Sequence, residues 1–212
     1  MAHEQYMWRC LELAKLGSGY AAPNPMVGSV IVHNGRIIGE GYHQRYGQAH
    51  AEVNAFASVR KADEHLLPES TIYVSLEPCS FYGNTPPCAD LIIKKGVKKV
   101  VIGALDRHPK VSGNGIQKLQ EAGCEVVSGI LEKECNHLNR RLNTFHEKQR
   151  PYIILKWAQT ADGYFAPADG TKKWITGTVA QKLVHKWRSE EMAIMVGTNT
   201  ALVDNPSLDV RK

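Results

Sequence analysis

The residues of this sequence best suited to chemistry are a histidine and a glutamate separated by one residue, followed by two prolyl-cysteine pairs. They are His50 and Glu52 in the stretch HAEVNA, and Cys79 and Cys88 in the stretch EPCSFYGNTPPC. Catalytic zinc takes three protein ligands and leaves one position for water. Because His50, Cys79 and Cys88 supply three suitable ligands, we expect them to hold a zinc ion. Glu52 would lie beside the metal as a proton shuttle.

Each of these residues has an ordinary explanation when it is taken alone. A histidine near a helix start is usually a cap or a core residue, and a single Pro-Cys pair indicates little. The order His-x-Glu, Pro-Cys, Pro-Cys is typical of zinc-dependent nucleobase deaminases, which usually have Pro-Cys-x-x-Cys. Here eight residues, SFYGNTPP, separate the cysteines. That insertion is too long for one tight turn, so we expect it to form a loop over the site.

Composition narrows the class of protein. The chain has 212 residues, is 43% hydrophobic, and carries a formal charge of +5. This mild charge suits an anionic small molecule as well as it would suit nucleic acid, although a nucleic-acid enzyme would need a strongly basic face. The sequence has no apolar run long enough to span a membrane and no signal-peptide pattern at its start. Its five cysteines, an odd number, favour the reducing cytoplasm and a metal or catalytic role for the clustered pair.

Hydrophobic periodicity then predicts the elements that position these residues. From the strand TIYVSL onward, strands and helices alternate, which favours a sheet with helices on both faces. Earlier elements are a helix ending at Gly17, a hairpin turning at Asn34-Gly35 and a helix through AHAEVNAFASVRKA. The later predicted elements are the helix CADLIIKK, the strand KKVVIGAL, the helix GIQKLQEAG, the strand CEVVSG and one long polar helix over 131–148.

The stretch KQRP interrupts this pattern, so we place a domain boundary there, giving domains 1–149 and 150–212. The second stretch predicts a strand, YIILKWAQT, the turn ADG, a helix through about Arg188, and a strand, MAIMVGTNTAL, that leads into another helix. Only 62 residues follow Arg150, too few for an α/β domain of common size. We therefore expect this part to be incomplete or to need a partner.

Several quoted motifs together resemble the RibD family of riboflavin-biosynthesis proteins. They are APNPMVGSVIV, HAEVNA, LEPCSFYGNTPPC and WAQTADG…KKWITG. The resemblance covers essentially the whole chain, and its most specific mark is the long spacing between the two cysteines. It implies a cytidine-deaminase-like three-layer α/β/α domain followed by the beginning of a dihydrofolate-reductase-like α/β domain. The first would hydrolytically deaminate a phosphorylated diaminopyrimidine at zinc, with Glu52 relaying protons, and the second would use NADPH.

The resemblance also implies substrate contacts in the first domain. Asn24 and His43 match positions that contact substrate in the family, although Asn24 could be a turn residue and His43 a surface strand residue. Two loop positions depart from the family pattern: Phe81 stands where a histidine is common, and Asn84 where a lysine or arginine is common. Those basic groups suit a phosphate, and Asn84 stays a candidate substrate contact.

In the second domain the resemblance implies two sets of residues. Arg188 and Arg211 suit a phosphate chemically, whereas Trp174 is nearly as well explained by core packing. The implied cofactor residues are Ala158, Trp174, Thr200 and Asp204. The implied substrate residues are Lys172, Arg188, Leu208 and Arg211, with Lys172 replacing what is often a serine.

The prediction is therefore a cytoplasmic zinc deaminase of riboflavin biosynthesis, with a reductase part that does not work alone. We expect a small phosphorylated pyrimidine as substrate, a homo-oligomer, and no nucleic-acid or membrane partner. Two alternatives are open. A deaminase of another base, such as one in tRNA, would need a strongly basic face, and a non-enzymatic zinc module would have a closed four-ligand site.

Overall fold

The structure is a computed structural model that describes residues 2–82, 86–108, 112–167, 171 and 173–211. It divides into two compact units, Met1–Tyr152 and Ile153–Lys212. Among the described residues, no helix is both long enough and apolar enough to cross a membrane.

The first unit contains five strands, six α-helices and a 3₁₀ helix in the residues described. The 3₁₀ helix, Lys61–Glu69, is the one regular element here that the sequence pattern did not predict. The strands are β1 (Gly28–His33), β2 (Arg36–Tyr42), β3 (Thr71–Leu76), β4 (Lys99–Ala104) and β5 (Glu125–Ser128). The helices are α1 (Ala2–Lys15), α2 (Ala51–Ser58), α3 (Cys88–Lys94), α4 (Asn114–Glu121), α5 (Glu132–Leu138) and α6 (Arg140–Lys148).

The five strands form one mixed sheet in the order β2-β1-β3-β4-β5. The hairpin β1–β2 turns at Asn34-Gly35, as predicted, and β1 pairs antiparallel with β3. β3, β4 and β5 are parallel, so their carboxyl ends lie at the same edge of the sheet. In open sheets of this kind, ligands bind beyond that edge.

Helices cover both faces of the sheet, which confirms the predicted three-layer α/β/α arrangement. On one face Phe56 of α2, Ile92 of α3 and Leu119 of α4 pack into one buried cluster. On the other face Met7 of α1 and Cys135 of α5 belong to a second cluster. The apolar strand residues alternate between these clusters because successive side chains of a strand point to opposite faces.

The helix α2 lies unusually close to β2, and two glycines allow this approach. A Cβ atom on Gly41 would collide with the backbone nitrogen of Ala55, and one on Gly39 would meet the carbonyl oxygen of Ala55 and the side chain of Val59. Both collisions involve atoms that cannot move freely, so larger residues would push α2 outward. Because α2 begins just after His50, these glycines help to determine how close His50, a predicted metal ligand, lies to the sheet.

The prediction of one long helix over 131–148 is wrong. The structure has two helices, α5 and α6, that meet at Asn139. Asn139 is buried, and its side chain accepts a hydrogen bond from the backbone nitrogen of Met26 (2.8 Å) and donates one to the carbonyl oxygen of Met26 (3.0 Å). The periodicity of the segment cannot reveal the break, because Asn139 is fixed by a residue more than one hundred positions earlier.

Both strands predicted for the second unit are also wrong. In the described residues of this unit the regular elements are α7 (Thr178–Glu190) and α8 (Thr198–Asp204); YIILKWAQT and MAIMVG form no strand. A strand is stable only when neighbouring strands pair with it and pack its apolar face. None of the residues described between 153 and 211 is buried, so the described part of this unit provides no such surface.

Candidate active site

The three predicted metal ligands come together at the ends of three elements. His50 is the residue before α2, Cys79 follows β3, and Cys88 is the first residue of α3. Nδ1 of His50 lies 3.6 Å from Sγ of Cys79 and 3.3 Å from Sγ of Cys88. Zinc bonds of normal length at a tetrahedral angle place such nitrogen and sulfur atoms about 3.6 Å apart. The chemistry and spacing of these donors therefore fit zinc.

Only three ligands converge in the part of the chain that the structure describes. The nitrogen of His50 and the two sulfur atoms lie within 4.8 Å of one another, and no further His, Cys, Asp or Glu described here joins this group. A closed structural zinc site has four protein ligands, whereas a catalytic site has three and an open position. The arrangement therefore favours a catalytic metal over a purely structural one.

Backbone contacts hold the two cysteines in register. The backbone nitrogen of Cys88 donates to Sγ of Cys79 over 3.3 Å, and the nitrogen of Ala89 donates to the carbonyl oxygen of Cys79 over 3.1 Å. The hydrogen bond with the Cys88 side chain, together with that from His50, lowers the pKa of Cys79. The same contact with Cys79 raises the pKa of Cys88. The cluster therefore favours a thiolate at Cys79.

Glu52 lies on the first turn of α2 and is almost completely buried, with 3% of its surface exposed. Burial, and next the negative charge of Cys79, raise the pKa of this carboxyl group to about 7. A carboxyl group with such a pKa exchanges a proton readily near neutral pH, as a general acid–base catalyst must. A divalent cation beside Glu52 would lower this pKa by favouring the carboxylate.

One cavity of about 480 Å³ adjoins this cluster. Its lining includes His50, Glu52 and Cys79, together with Asn24 and His43, the two predicted substrate contacts of the first domain. The volume lies within the range typical of small-molecule sites.

His43 and Asn24 form a hydrogen-bonded pair in this cavity. Nδ1 of His43 lies 3.0 Å from the carbonyl oxygen of Ala49, which can only accept, so Nδ1 carries a proton. Burial lowers the pKa of His43, which favours the neutral ring, and its Nε2 then accepts a hydrogen bond from the Asn24 amide over 3.1 Å. His43 is buried, so the alternative of a surface strand residue is wrong.

Glu77 is a buried carboxylate that the sequence interpretation missed. Its two oxygens accept hydrogen bonds from the backbone nitrogens of Asp106 (3.3 Å), Gly113 (3.0 Å), Gly115 (2.9 Å) and Ile116 (3.3 Å). Glu77 stands two residues before Cys79, so these bonds tie the metal side of the cavity to the segment after β4. The available signal was its position directly after a parallel strand.

Three further cavity residues were also missed: Asp106, His108 and His146. Asp106 and His108 follow β4, so the rule that ligands bind beyond the carboxyl ends of parallel strands could have identified them. No comparable signal exists for His146, which lies within α6 in a mainly polar segment.

The predicted residues of the second unit occupy mostly exposed positions. Arg188 donates to the carbonyl oxygen of Asp209 (3.2 Å), and Arg211 forms an ion pair with the carboxylate of Asp209 (3.0 Å), so these two arginines meet at one residue. Trp174 is 84% exposed, which excludes core packing in this structure. Thr200 and Asp204 lie on α8, and Ala158 and Leu208 are half-buried. Asn84 and Lys172 lie outside the described residues.

Two family models match the chain. One, described as "Cytidine and deoxycytidylate deaminase zinc-binding region", matches residues 1–104, and the other, "RibD C-terminal domain", matches residues 151–212. Their order along the chain is the order of the two predicted domains.

Individual proteins give the same picture. The riboflavin biosynthesis protein RibD of Actinobacillus pleuropneumoniae is 47% identical over 211 residues, which are 100% of this chain and 55% of that protein. RibD of Escherichia coli K12 is 44% identical over 211 residues, again 100% of this chain and 56% of its own length. The chain therefore spans about half the length of the curated relatives it matches.

A solved structure is similar over nearly the whole chain. The diaminohydroxyphosphoribosylaminopyrimidine deaminase/5-amino-6-(5-phosphoribosylamino)uracil reductase of Thermotoga maritima has a TM-score of 0.92 and 47% identity. The match covers 99% of this chain and 59% of that one.

Proposed function

Because the chain belongs to the RibD family of riboflavin-biosynthesis proteins, we propose that its first unit is a zinc-dependent pyrimidine deaminase. The reaction replaces an amino group of a diaminopyrimidine ribosyl phosphate with oxygen and releases ammonia, as the Thermotoga relative's name implies for that protein. The observation that carries this proposal is a buried carboxyl group, Glu52, beside three zinc-type ligands at the wall of a cavity.

His50, Cys79 and Cys88 would hold the zinc. A zinc ion in such a site lowers the pKa of a bound water and so supplies a nucleophile at neutral pH. The carboxylate oxygens of Glu52 would accept one proton of this water and pass it to the ring nitrogen. Glu52 would then take the second proton from the same oxygen, now bonded to the ring carbon, and pass it to the amino group, which leaves as ammonia. Its burial keeps bulk water from competing for these protons.

Asn24 and His43 would position the pyrimidine. The neutral ring of His43 accepts from the amide nitrogen of Asn24 and holds the amide in a fixed orientation. The amide oxygen of Asn24 can then accept a hydrogen bond from a substrate amino group. Specific recognition of this kind rejects analogues that lack the amino group, because a buried polar atom would lose its partner.

For the second unit we propose a role in NADPH-dependent reduction within a longer protein. The match to the RibD C-terminal domain supports this role. Ala158, Trp174, Thr200 and Asp204 would contact the cofactor, and Lys172, Arg188, Leu208 and Arg211 the substrate. We also propose a cytoplasmic location, supported by five cysteines that are all free, and assembly as a homo-oligomer.

The test is ammonia release from the diaminopyrimidine ribosyl phosphate by the full chain, with zinc and after its removal by a chelator. We expect one zinc per chain, and activity that is lost with the metal and restored by adding it back. Cys88→Ser should lose zinc, because the thiolate is the stronger ligand. Cys124→Ser is the matched control, since Cys124 is a buried packing cysteine outside the cluster. Stoichiometric zinc in Cys88→Ser would overturn the ligand assignment.

A further inference from the structure

A wall of aromatic and imidazole rings lines the cavity beyond the metal cluster. The rings of Phe81 and His108 stack with centroids 6.0 Å apart and an interplanar angle of 21°. His108 meets His146 edge to face at 4.9 Å, and His146 lies 5.6 Å from Phe145. All four residues line the same cavity as His50, Glu52 and Cys79. The chemistry that this wall offers to a ligand is that of two neighbouring imidazoles.

Away from the metal cluster, these two imidazoles are the groups in the described lining best suited to bind an anion. Among the described residues that line it, there is no lysine or arginine. Of the other histidines in the lining, His50 belongs to the metal cluster, and burial favours the neutral form of His43. Histidine is the side chain that most readily becomes a cation near neutral pH, and its N–H groups donate charge-assisted hydrogen bonds to anions.

The position of His108 is fixed from the metal side of the cavity. Glu77 holds the backbone nitrogen of Asp106, and a carboxylate oxygen of Asp106 accepts from the backbone nitrogen of His108 over 2.8 Å. Burial raises the pKa of Asp106, while the nearby charges of His108 and His146 act in the opposite direction. Two hydrogen bonds therefore link the backbone of His108 to Glu77, which stands two residues before Cys79.

We propose that His108 and His146 form the binding subsite for the phosphate of the substrate. The inference rests on the proposed function, which supplies the class of substrate. It assigns the phosphate to one residue in the segment after β4 and one residue in α6. One cavity then has two ends: the metal cluster and Glu52 act on the base, and the two imidazoles hold the phosphate. The stacked ring of Phe81 and the edge contact between the histidines keep both imidazoles in place.

The kinetic test compares the phosphorylated substrate with its dephosphorylated nucleoside, using the zinc-loaded full chain. His146→Gln and His146→Phe should each lower the preference in kcat/KM for the phosphorylated compound roughly tenfold, through KM, since a charge-assisted hydrogen bond is lost. His146→Lys should keep the preference because it restores a cation. His65→Gln is the matched control, an exposed histidine outside the cavity. An unchanged preference in His146→Gln overturns the proposal, and a loss in His146→Gln but not in His146→Phe assigns the wall to ring packing and also overturns it.

A binding experiment separates this subsite from the proposed reaction. Ribose 5-phosphate should shift the imidazole carbon–hydrogen NMR signals of His108 and His146, whereas ribose should not, and the signal of His65 should stay in place. If the wild-type chain deaminates neither the phosphorylated substrate nor its nucleoside but these NMR shifts occur, the proposed function fails and the phosphate subsite stands. If the signals of His108 and His146 do not move with ribose 5-phosphate, the subsite is refuted whether or not deamination occurs.

Discussion

In the first unit Ile31, Ile72 and Ile102 are fully buried between the sheet and one layer of helices, whereas in the second unit Trp174 and Met195 are 84% and 94% exposed. Both units contain apolar segments with strand-like patterns, but among the described residues only those of the first unit pair into a sheet. The difference shows that a segment with a strand-like pattern forms a strand only where neighbouring strands pair with it and a helix layer covers its apolar face. The candidate active site lies in the unit that has this support.

The largest expected contrast between the units is in catalysis. We predict that the 212-residue chain releases ammonia from the diaminopyrimidine ribosyl phosphate but does not oxidise NADPH when given the deaminated product. A nicotinamide needs a cleft with apolar walls, and none of the residues described between 153 and 211 is buried. The measurement is the absorbance of NADPH at substrate concentrations that saturate deamination. Steady, substrate-dependent oxidation of NADPH would contradict this prediction and would indicate that copies of the chain complete the second unit.

Backbone hydrogen exchange measures the same contrast without any ligand. Amides of β1, β3 and β4 should exchange about 10⁴-fold or more slowly than those of α7 and α8, because they open only when the whole first unit unfolds. Exchange followed by mass spectrometry of peptides from each unit gives this ratio. Equal protection in α7 and β3 would mean that the second unit possesses a core of its own.

Glu52→Gln tests the chemistry of the first unit alone. The amide keeps the volume of the side chain but cannot relay a proton, and general acid–base catalysis typically contributes about 100- to 10,000-fold. We expect ammonia release to fall by this factor while zinc content and thermal stability are retained. Glu121→Gln, an exposed change on α4, serves as the control. Near-normal ammonia release in Glu52→Gln would mean that Glu52 has no catalytic role and serves only in the first turn of α2.

The smallest effect on activity is expected at Asn139. This residue lies between α5 and α6 and is hydrogen-bonded to Met26, in the loop that carries Asn24. Asn139→Ala leaves the nitrogen and oxygen of Met26 without their partner, at a cost of about 1–3 kcal/mol in the free energy of unfolding. Because Asn24 is two residues from Met26, KM should rise severalfold more than kcat falls. Asn143→Ala, which removes hydrogen bonds within α5–α6 only, should leave KM unchanged. A loss of stability without a KM change would make Asn139 purely structural.

Much of the first unit could be predicted from local pattern. The hairpin at Asn34-Gly35, the alternation of strand and helix from β3 onward, and the placement of Glu52 on the first turn of a helix follow from turn chemistry and hydrophobic period. The break at Asn139 could not, because its hydrogen-bond partner is distant in sequence. The prediction of two strands in the second unit was wrong for a related reason, because strand pairing depends on other segments of the chain.

The residue types available for chemistry can be read directly from the amino-acid sequence: His50, Glu52, Cys79 and Cys88 have identities and spacing that suit few other purposes. Their surroundings, in contrast, depend on how the chain folds. The depth that gives Glu52 a raised pKa comes from the packing of α2 on β2, and the meeting of His108 with His146 comes from two segments that are separate in the chain. Burial and electrostatic environment are properties of the folded arrangement, because they depend on distances between residues that no local spacing specifies.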